Sequence, residues 1–355
     1  MDRRVVNAEA PGSLRYRRRR RLHWLAIGGA TLALCALFLV DVGTGPGQLS
    51  MARIADVLRD SSSHGAAARI IVWDIRLPVA CMAVLVGAML SIAGAQMQSI
   101  LNNPLADPFT LGISSAAAFG AALAITLGAE QLALPGDLAV TLGAFGFSLL
   151  TTVLLYGFTR LRGASAETMV LIGIALLFTF NALLSLLQYT ATDAQVSQIV
   201  FWMMGSLAKA DWQKVGLCAL VLAICLPLFL LRGRALTAMR LGDARAASLG
   251  VDVARLRVEI LLAVSLLAAT AVAFVGTVAF VGLVGPHIAR LIVGEDQRLF
   301  LPASLLCGAL IMSATSILSK TISPGVVYPV GIITSLVGIP FFVSLILGRQ
   351  RRNWQ

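Results

Sequence analysis

Nine stretches of the chain contain no Asp, Glu, Lys or Arg: residues 22–40, 77–106, 108–129, 138–159, 168–192, 215–231, 260–289, 299–319 and 321–348. A helix needs roughly 18 to 20 apolar residues to cross about 30 Å of hydrocarbon, and each stretch approaches or exceeds that. Charged residues make up 13% of the 355, where a soluble domain carries about 25%. A water-soluble globule is excluded. A transmembrane barrel would show segments of about ten residues alternating apolar and polar, and LLAVSLLAATAVAFVG (261–276) does not alternate. The fold class is all-α, a polytopic membrane protein.

The formal net charge of +11 is concentrated early, where Arg15 and Arg17 to Arg21 stand directly before Leu22. A free basic arm can bind nucleic acid. Beside a hydrophobic helix it reads as a topology anchor instead, because cytoplasmic connections carry the excess of Lys and Arg. Residues 1–21 are therefore expected to be a cytoplasmic tail, with a lipid bilayer and not a nucleic acid as the partner. The polar length ahead of Leu22 argues against a cleaved signal peptide. Cys35, Cys81, Cys218, Cys225 and Cys307 lie in separate apolar stretches without a CxxC pair, which reads as packing and not as a disulfide frame or metal site.

Five crossings from an inside start leave 193–212 outside, and 215–231 brings the chain back. Segment 232–257 then faces the cytoplasm with Arg232, Arg234, Arg240, Arg245, Arg255 and Arg257. Three apolar stretches remain, and one crossing each would put Arg349, Arg351 and Arg352 outside. One stretch must therefore cross twice. The longest, 260–289 continued to Val293, holds Gly276, Gly282, Gly285 and Pro286, which can break a helix. Ten transmembrane helices follow, with 22–348 as the membrane domain, 349–355 as a cytoplasmic tail, and 21 of the 28 Lys and Arg inside. Outside, 50–60 puts Met51, Ile54, Val57 and Leu58 on one helical face, predicting a short amphipathic helix at the membrane surface.

The second span carries Gly87, Ser91 and Ala95 at four-residue spacing, a face that lets another helix approach closely. It ends in Gln96, Gln98, Asn102 and Asn103. Read as helix, 96 stacks on 103 and 98 on 102, which makes Gln96, Gln98 and Asn102 candidates to line a pathway, since amides at that depth need partners or water. The following NNPLADPFTLGISS (102–115) reads as a tight connection, with Pro104 and Pro108 restricting the backbone and Asp107 placed to cap the next helix. Inside, LGDARAASLGVDVARLR (241–257) offers a small apolar face of Leu241, Ala244, Ala247 and Leu249, with Asp243 to cap a helix and Gly250 to end it. Short helices of this kind suit docking into a groove of another protein.

Catalytic chemistry is missing from the sequence. His23, His64 and His287 are isolated, and each of the three lysines lacks the preceding Gly that a GxxxxGK[ST] phosphate loop requires. The chain is not expected to be an enzyme.

Together IRLP (75–78), NNPLADPFTLGISS (102–115), FWMMGSL (201–207), LGDARAASLG (241–250), FVGLVGPHIARL (280–291) and PVGIITSLVGIPFF (329–342) resemble the FecCD-type permeases of ATP-binding-cassette importers, over about residues 22–348. Those permeases move ferric siderophores, haem or vitamin B12. The resemblance implies a vitamin B12 permease-like (type II ABC importer) fold in a bacterial inner membrane with both termini cytoplasmic. It also implies a homodimer around the pathway, two cytoplasmic ABC ATPase subunits that bind ATP and Mg, and a periplasmic substrate-binding protein. No cofactor belongs to this chain. By the same resemblance Asp243, Ala246, Ala247 and Gly250 dock the ATPase, and Asn103 and Leu105 belong to the cytoplasmic gate. A second gate element falls near Ala166 and Glu167, without the small hydroxyl residues of the vitamin B12 permease. Arg76 and Lys320 face the binding protein, and Val79 stands where the usual RLPR has its second Arg.

An iron chelate, ferric siderophore or haem, is the expected substrate; cobalamin and a molybdate-type oxyanion are the alternatives. An ion-coupled secondary transporter also uses broken helices, but it usually needs an acidic residue in its spans, and Asp and Glu avoid every central segment here. A membrane scaffold or sensor without transport is the third class.

Overall fold

The computed structural model describes residues 11–45, 47, 49–59, 65–162, 165–323 and 325–352. Residues 1–10 and 353–355 of the two tails, and His64, lie outside the described residues.

Helices account for nearly all of the described chain. They are α1 (Pro11–Gly43), α2 (Met51–Arg59), α3 (Ala66–Arg69), α4 (Leu77–Ile100), α5 (Ile113–Leu132), α6 (Gly136–Arg162), α7 (Ala166–Thr190), α8 (Asp193–Met203), α9 (Trp212–Leu231), α10 (Gly233–Met239), α11 (Asp243–Ser248), α12 (Val253–Val275), α13 (Val281–Val293), α14 (Gln297–Thr321) and α15 (Val330–Arg352). A π-helical stretch, Ile70–Arg76, joins α3 to α4 in one rod from Ala66 to Ile100. Among the described residues seven helices are long and apolar enough to span a membrane, and Ile113–Gly128, Val281–Val293 and Val330–Phe341 are three shorter apolar ones. The expected ten crossings are thus present.

Helix starts are set by side-chain caps at the ends of the connections. Ser165 Oγ accepts from Thr168 N, Asp211 Oδ1 from Lys214 N and Asp252 Oδ1 from Arg255 N, each taking up a donor that the first helical turn leaves unpaired. Thr192 and Gln195 form a reciprocal capping box at α8. That helix, within a segment read only as an outside connection, was missed, although the T-x-x-Q signature stands in the sequence.

The double crossing occurs where expected, with the break shifted. Gly276 (φ 79°) and Phe280, left-handed at φ 68°, bound the non-helical residues 276–280. Gly282, Gly285 and Pro286 do not break anything; they lie inside α13. The two glycines are there for contact: a β-carbon on Gly285 would run into Ser91, and α13 also crosses α4 at Gly282 and Gly94. The second span differs too. It starts upstream of residue 77 and ends at Ile100, so residues 101–106 are not helical and 96/103 and 98/102 do not stack. In α2, Ile54 and Val57 are buried as predicted, whereas Met51 and Leu58 are exposed.

Helix α4 is the axis of the molecule. Every residue from Val86 to Ile100 is buried, and α9, α12, α13 and α14 pack around it. Its small face works as read, because Gly87 meets Gly308 of α14 and Ser91 Oγ donates to Ser304 O at 2.6 Å. The end of this axis at Ile100 meets segments 232–257 and 290–297 and is the basic end of the bundle.

Candidate functional site

At the basic end α4 stops because Asn102 turns left-handed at φ 45°, a conformation Asn tolerates better than most residues. The connection after it is stitched by its own bonds. Asn103 Oδ1 accepts from Leu105 N at 3.0 Å and Asn103 N donates to Gln98 O at 3.2 Å, which leaves Leu105 49% exposed. Asp107 does not cap α5, which begins at Ile113; its Oδ1 accepts from the amides of Phe109 and Thr110 and so folds the connection itself. Its Oδ2 faces Gly282 of α13.

The proposed lining residues are not brought to an open path. Gln96 and Gln98 are fully buried between helices of this chain. Gln96 Nε2 donates to Gln297 Oε1 at 3.1 Å, and Gln297 Nε2 donates to Ser99 Oγ at 2.9 Å. Gln98 Nε2 donates to Gly282 O at 3.4 Å while its Oε1 accepts from Arg290 at 2.8 Å. The amides serve as interhelical hydrogen bonders, since α4 is surrounded on all sides; Asn102 is exposed but ends the helix. Among the described residues no three His, Cys, Asp or Glu side chains gather to hold a metal.

Segment 232–257 folds as two short helices separated by Gly242 (φ 92°) and closed by Gly250 (φ 84°). Ala247, Gly250, Leu241 and Leu249 are exposed, the last at 64%. Ala246 is a correction: it is fully buried and packs inward, so it presents nothing to a partner. Asp243 is another. It makes no cap bond but receives Arg257 Nη2 on both carboxylate oxygens, at 2.9 and 3.1 Å. Arg257, unremarked in the sequence beyond its sign, also donates Nε to Ile100 O at 2.9 Å. Arg240 donates to Gln98 O at 3.5 Å and pairs with Glu295. Glu167, in the first turn of α7, is exposed, and Ala166 is half-buried.

At the opposite end Arg76 and Lys320 are not surface charges. Arg76, 2% exposed, donates Nη1 to Val42 O and Gly43 O at 3.1 and 3.0 Å and Nη2 to Gly45 O and Gly47 O at 3.1 and 2.6 Å. It gathers the turn after α1, much as a folded loop gathers around a cation. Lys320 Nζ lies 2.6 Å from Asp41 Oδ1, which also accepts from Ser316 Oγ at 2.9 Å. Both cations are spent on this chain, which corrects their reading as exposed docking side chains; Val79 is buried as well. A cleft of about 780 Å³ lined by Arg69, Trp73, Asp74 and Trp212 opens at the outer ends of the α3–α4 rod and α9.

A bundle with a buried, glycine-faced axis, a seventh apolar stretch divided at 276–280 into two crossings and an exposed short helix bound to the end of that axis defines a multi-pass membrane protein. The chain belongs to the FecCD transport family, whose model matches residues 32–348. It is 37% identical to the hemin transport system permease protein HmuU of Yersinia pestis, over 79% of this chain and 84% of that one. It is 33% identical to the vitamin B12 import system permease protein BtuC of Serratia proteamaculans, over 94% of both chains. Further relatives carry names for iron chelatin and molybdate import. A solved structure described as an inward-facing metal-chelate type ABC transporter matches 91% of this chain and 99% of its own, with a TM-score of 0.80 and 30% identity. Membership in an ABC permease family sets the ion-coupled and scaffold alternatives aside.

Proposed function

We propose that the chain is the membrane subunit of an ATP-driven importer for an iron chelate, ferric siderophore or haem, acting as a homodimer in a bacterial inner membrane. Both termini and the basic end face the cytoplasm, where two ATPase subunits bind and hydrolyse MgATP, and a periplasmic binding protein delivers the substrate to the other end. The observation that carries this reading is α11, a short helix held outside the bundle with Leu241 and Leu249 exposed beside it. The excess of Lys and Arg at that end supports the orientation. Relatives named for hemin and iron chelatin support the iron chelate, and others named for vitamin B12 and molybdate keep those substrates as arms of the test.

The reading is one of alternating access: closure of the ATPases displaces α11 and the helices attached to it, and the connection at Asn103 and Leu105 switches. ATP and loaded binding protein must each prefer one conformation, since a ligand shifts an equilibrium only through differential affinity. The test is reconstitution with the cognate ATPase and binding protein. ATP hydrolysis should rise when the binding protein carries hemin or a ferric siderophore. A rise only with cobalamin or molybdate would overturn the substrate, and an absence of any rise with all four would overturn the importer.

A further inference from the structure

We infer that Arg257, seconded by Arg240, is the positioning residue that transmits movement of α11 to the connection at Asn103 and Leu105; this rests on the reading of the chain as an ATP-driven permease. The last carbonyls of any helix lack intrahelical donors, and cations are favoured beside them. At the end of α4 those carbonyls are taken by arginines of the 232–257 segment: Ile100 O by Arg257 at 2.9 Å and Gln98 O by Arg240 at 3.5 Å. The same guanidinium of Arg257 holds both oxygens of Asp243, the first residue of α11. Its side chain is 2% exposed while that of Asp243 is 50% exposed, so the contact runs from the interior of the bundle to its surface.

The attachment of α11 is otherwise slight. Of its six residues only Ala246 is buried, and positive-φ glycines at 242 and 250 flank it. A helix so placed can shift as a unit, and the Asp243 to Arg257 fork is its polar link to the molecule. A planar guanidinium bonded through two of its nitrogens, Nε to Ile100 O and Nη2 to Asp243, resists displacement in direction as well as in distance, which a lysine point charge would not. On the far side of the link stands Ile100, two residues before the left-handed Asn102 and three before Asn103, whose side chain folds the connection that exposes Leu105. Arg240 ties the same turn of α4 to Glu295, and Arg290 reaches Gln98 Oε1, so the end of α13 is drawn in as well. The arrangement couples α11 to the end of α4 through Arg257, and Arg240 and Arg290 tie that end of α4 to Glu295 and the end of α13.

The test uses the full chain with Leu105→Cys as a reporter, the native cysteines replaced, purified in complex with its ATPase partner and placed in lipid nanodiscs. Maleimide labelling of position 105 is followed with and without MgATP plus vanadate. With Arg257 intact the labelling rate should change several-fold on trapping. In Arg257→Gln the ATPase should remain bound and hydrolyse ATP while the change at 105 is lost, and Arg257→Lys should restore only part of it. A merely structural role would not separate hydrolysis from the reporter. An undiminished change in Arg257→Gln overturns the inference. If the intact complex hydrolyses ATP yet shows no change at 105, the inference also falls and the partner reading stands; if no ATPase binds the chain at all, the partner reading falls and takes the inference with it. Should Arg257→Gln fail to assemble, Arg240→Gln in the assembled complex is read in the same way, and an undiminished change there overturns the inference.

Discussion

Gly87 of α4 and Gly308 of α14 meet backbone to backbone, and a β-carbon added to either would overlap the carbonyl of the other. Lipid tails are as apolar as leucine, so such close packing, with the Ser91 to Ser304 hydrogen bond beside it, is what holds these helices together. Gly308→Ala is expected to lose on the order of 1–3 kcal/mol through overpacking, and Gly308→Leu to prevent accumulation of the protein. Melting of the detergent-purified chain checks this; an unchanged midpoint in Gly308→Ala would contradict the packing described.

Asp41 and Lys320 form a pair with side chains 1% and 7% exposed. Removing one member leaves a buried charge alone, a loss of about 3–5 kcal/mol, while replacing both with uncharged groups of similar size is far milder. Lys320→Met is therefore expected to destabilise strongly, and Asp41→Asn with Lys320→Met to recover most of the loss. Equal midpoints for the single and double variants would count against the pair. Arg76→Glu, which sets a carboxylate against the carbonyls of Val42, Gly43, Gly45 and Gly47, is expected to abolish folding and not just to weaken docking of a partner.

Asp107, 5% exposed, accepts from the amides of Phe109 and Thr110 and so folds the connection between α4 and α5. Asp107→Ala leaves both amides without that acceptor and is expected to lose about 1–3 kcal/mol, whereas Asp107→Asn keeps an oxygen for them and loses less. Melting of the detergent-purified variants checks this, and equal midpoints for the two would count against the connection described.

Gly250 ends α11 at φ 84° with open space where a β-carbon would stand. The backbone angle and not crowding requires glycine, so a β-branched residue is strained there by about 1–2 kcal/mol while Asn is nearly neutral. Gly250→Val should weaken retention of the ATPase subunit on purification and Gly250→Asn should not. Equal retention in both would separate α11 from docking.

The spans were legible because the apolar stretches are long and parity forces one of them to cross twice. Their limits were less so: Arg69, Asp74 and Arg76 mark the end of an apolar run, yet the helix continues through them, because a helix at a membrane boundary keeps its backbone bonds whatever its side chains carry. Gln96 and Gln98 show a second limit. Composition says that buried amides need partners but not whether those are water or a neighbouring helix, and only the packing of α13 and α14 around α4 decides. Arg257 was visible as one more inside charge; Ile100 lies 157 residues away and Asp243 lies 14 residues away across the turn at Gly250, so neither pairing leaves a periodic trace. Arg76 matched a motif read as a surface contact, and its burial follows from four loop carbonyls that no motif displays.

The most direct test of the account is the placement of α11. A cysteine at Ser248, exposed at the end of that helix, is treated with a membrane-impermeant maleimide in the otherwise cysteine-free protein. The account predicts no labelling in intact cells, labelling in inside-out vesicles stripped of peripheral subunits, and protection when purified ATPase is added back. Labelling in intact cells would place the helix on the wrong side of the membrane and contradict it.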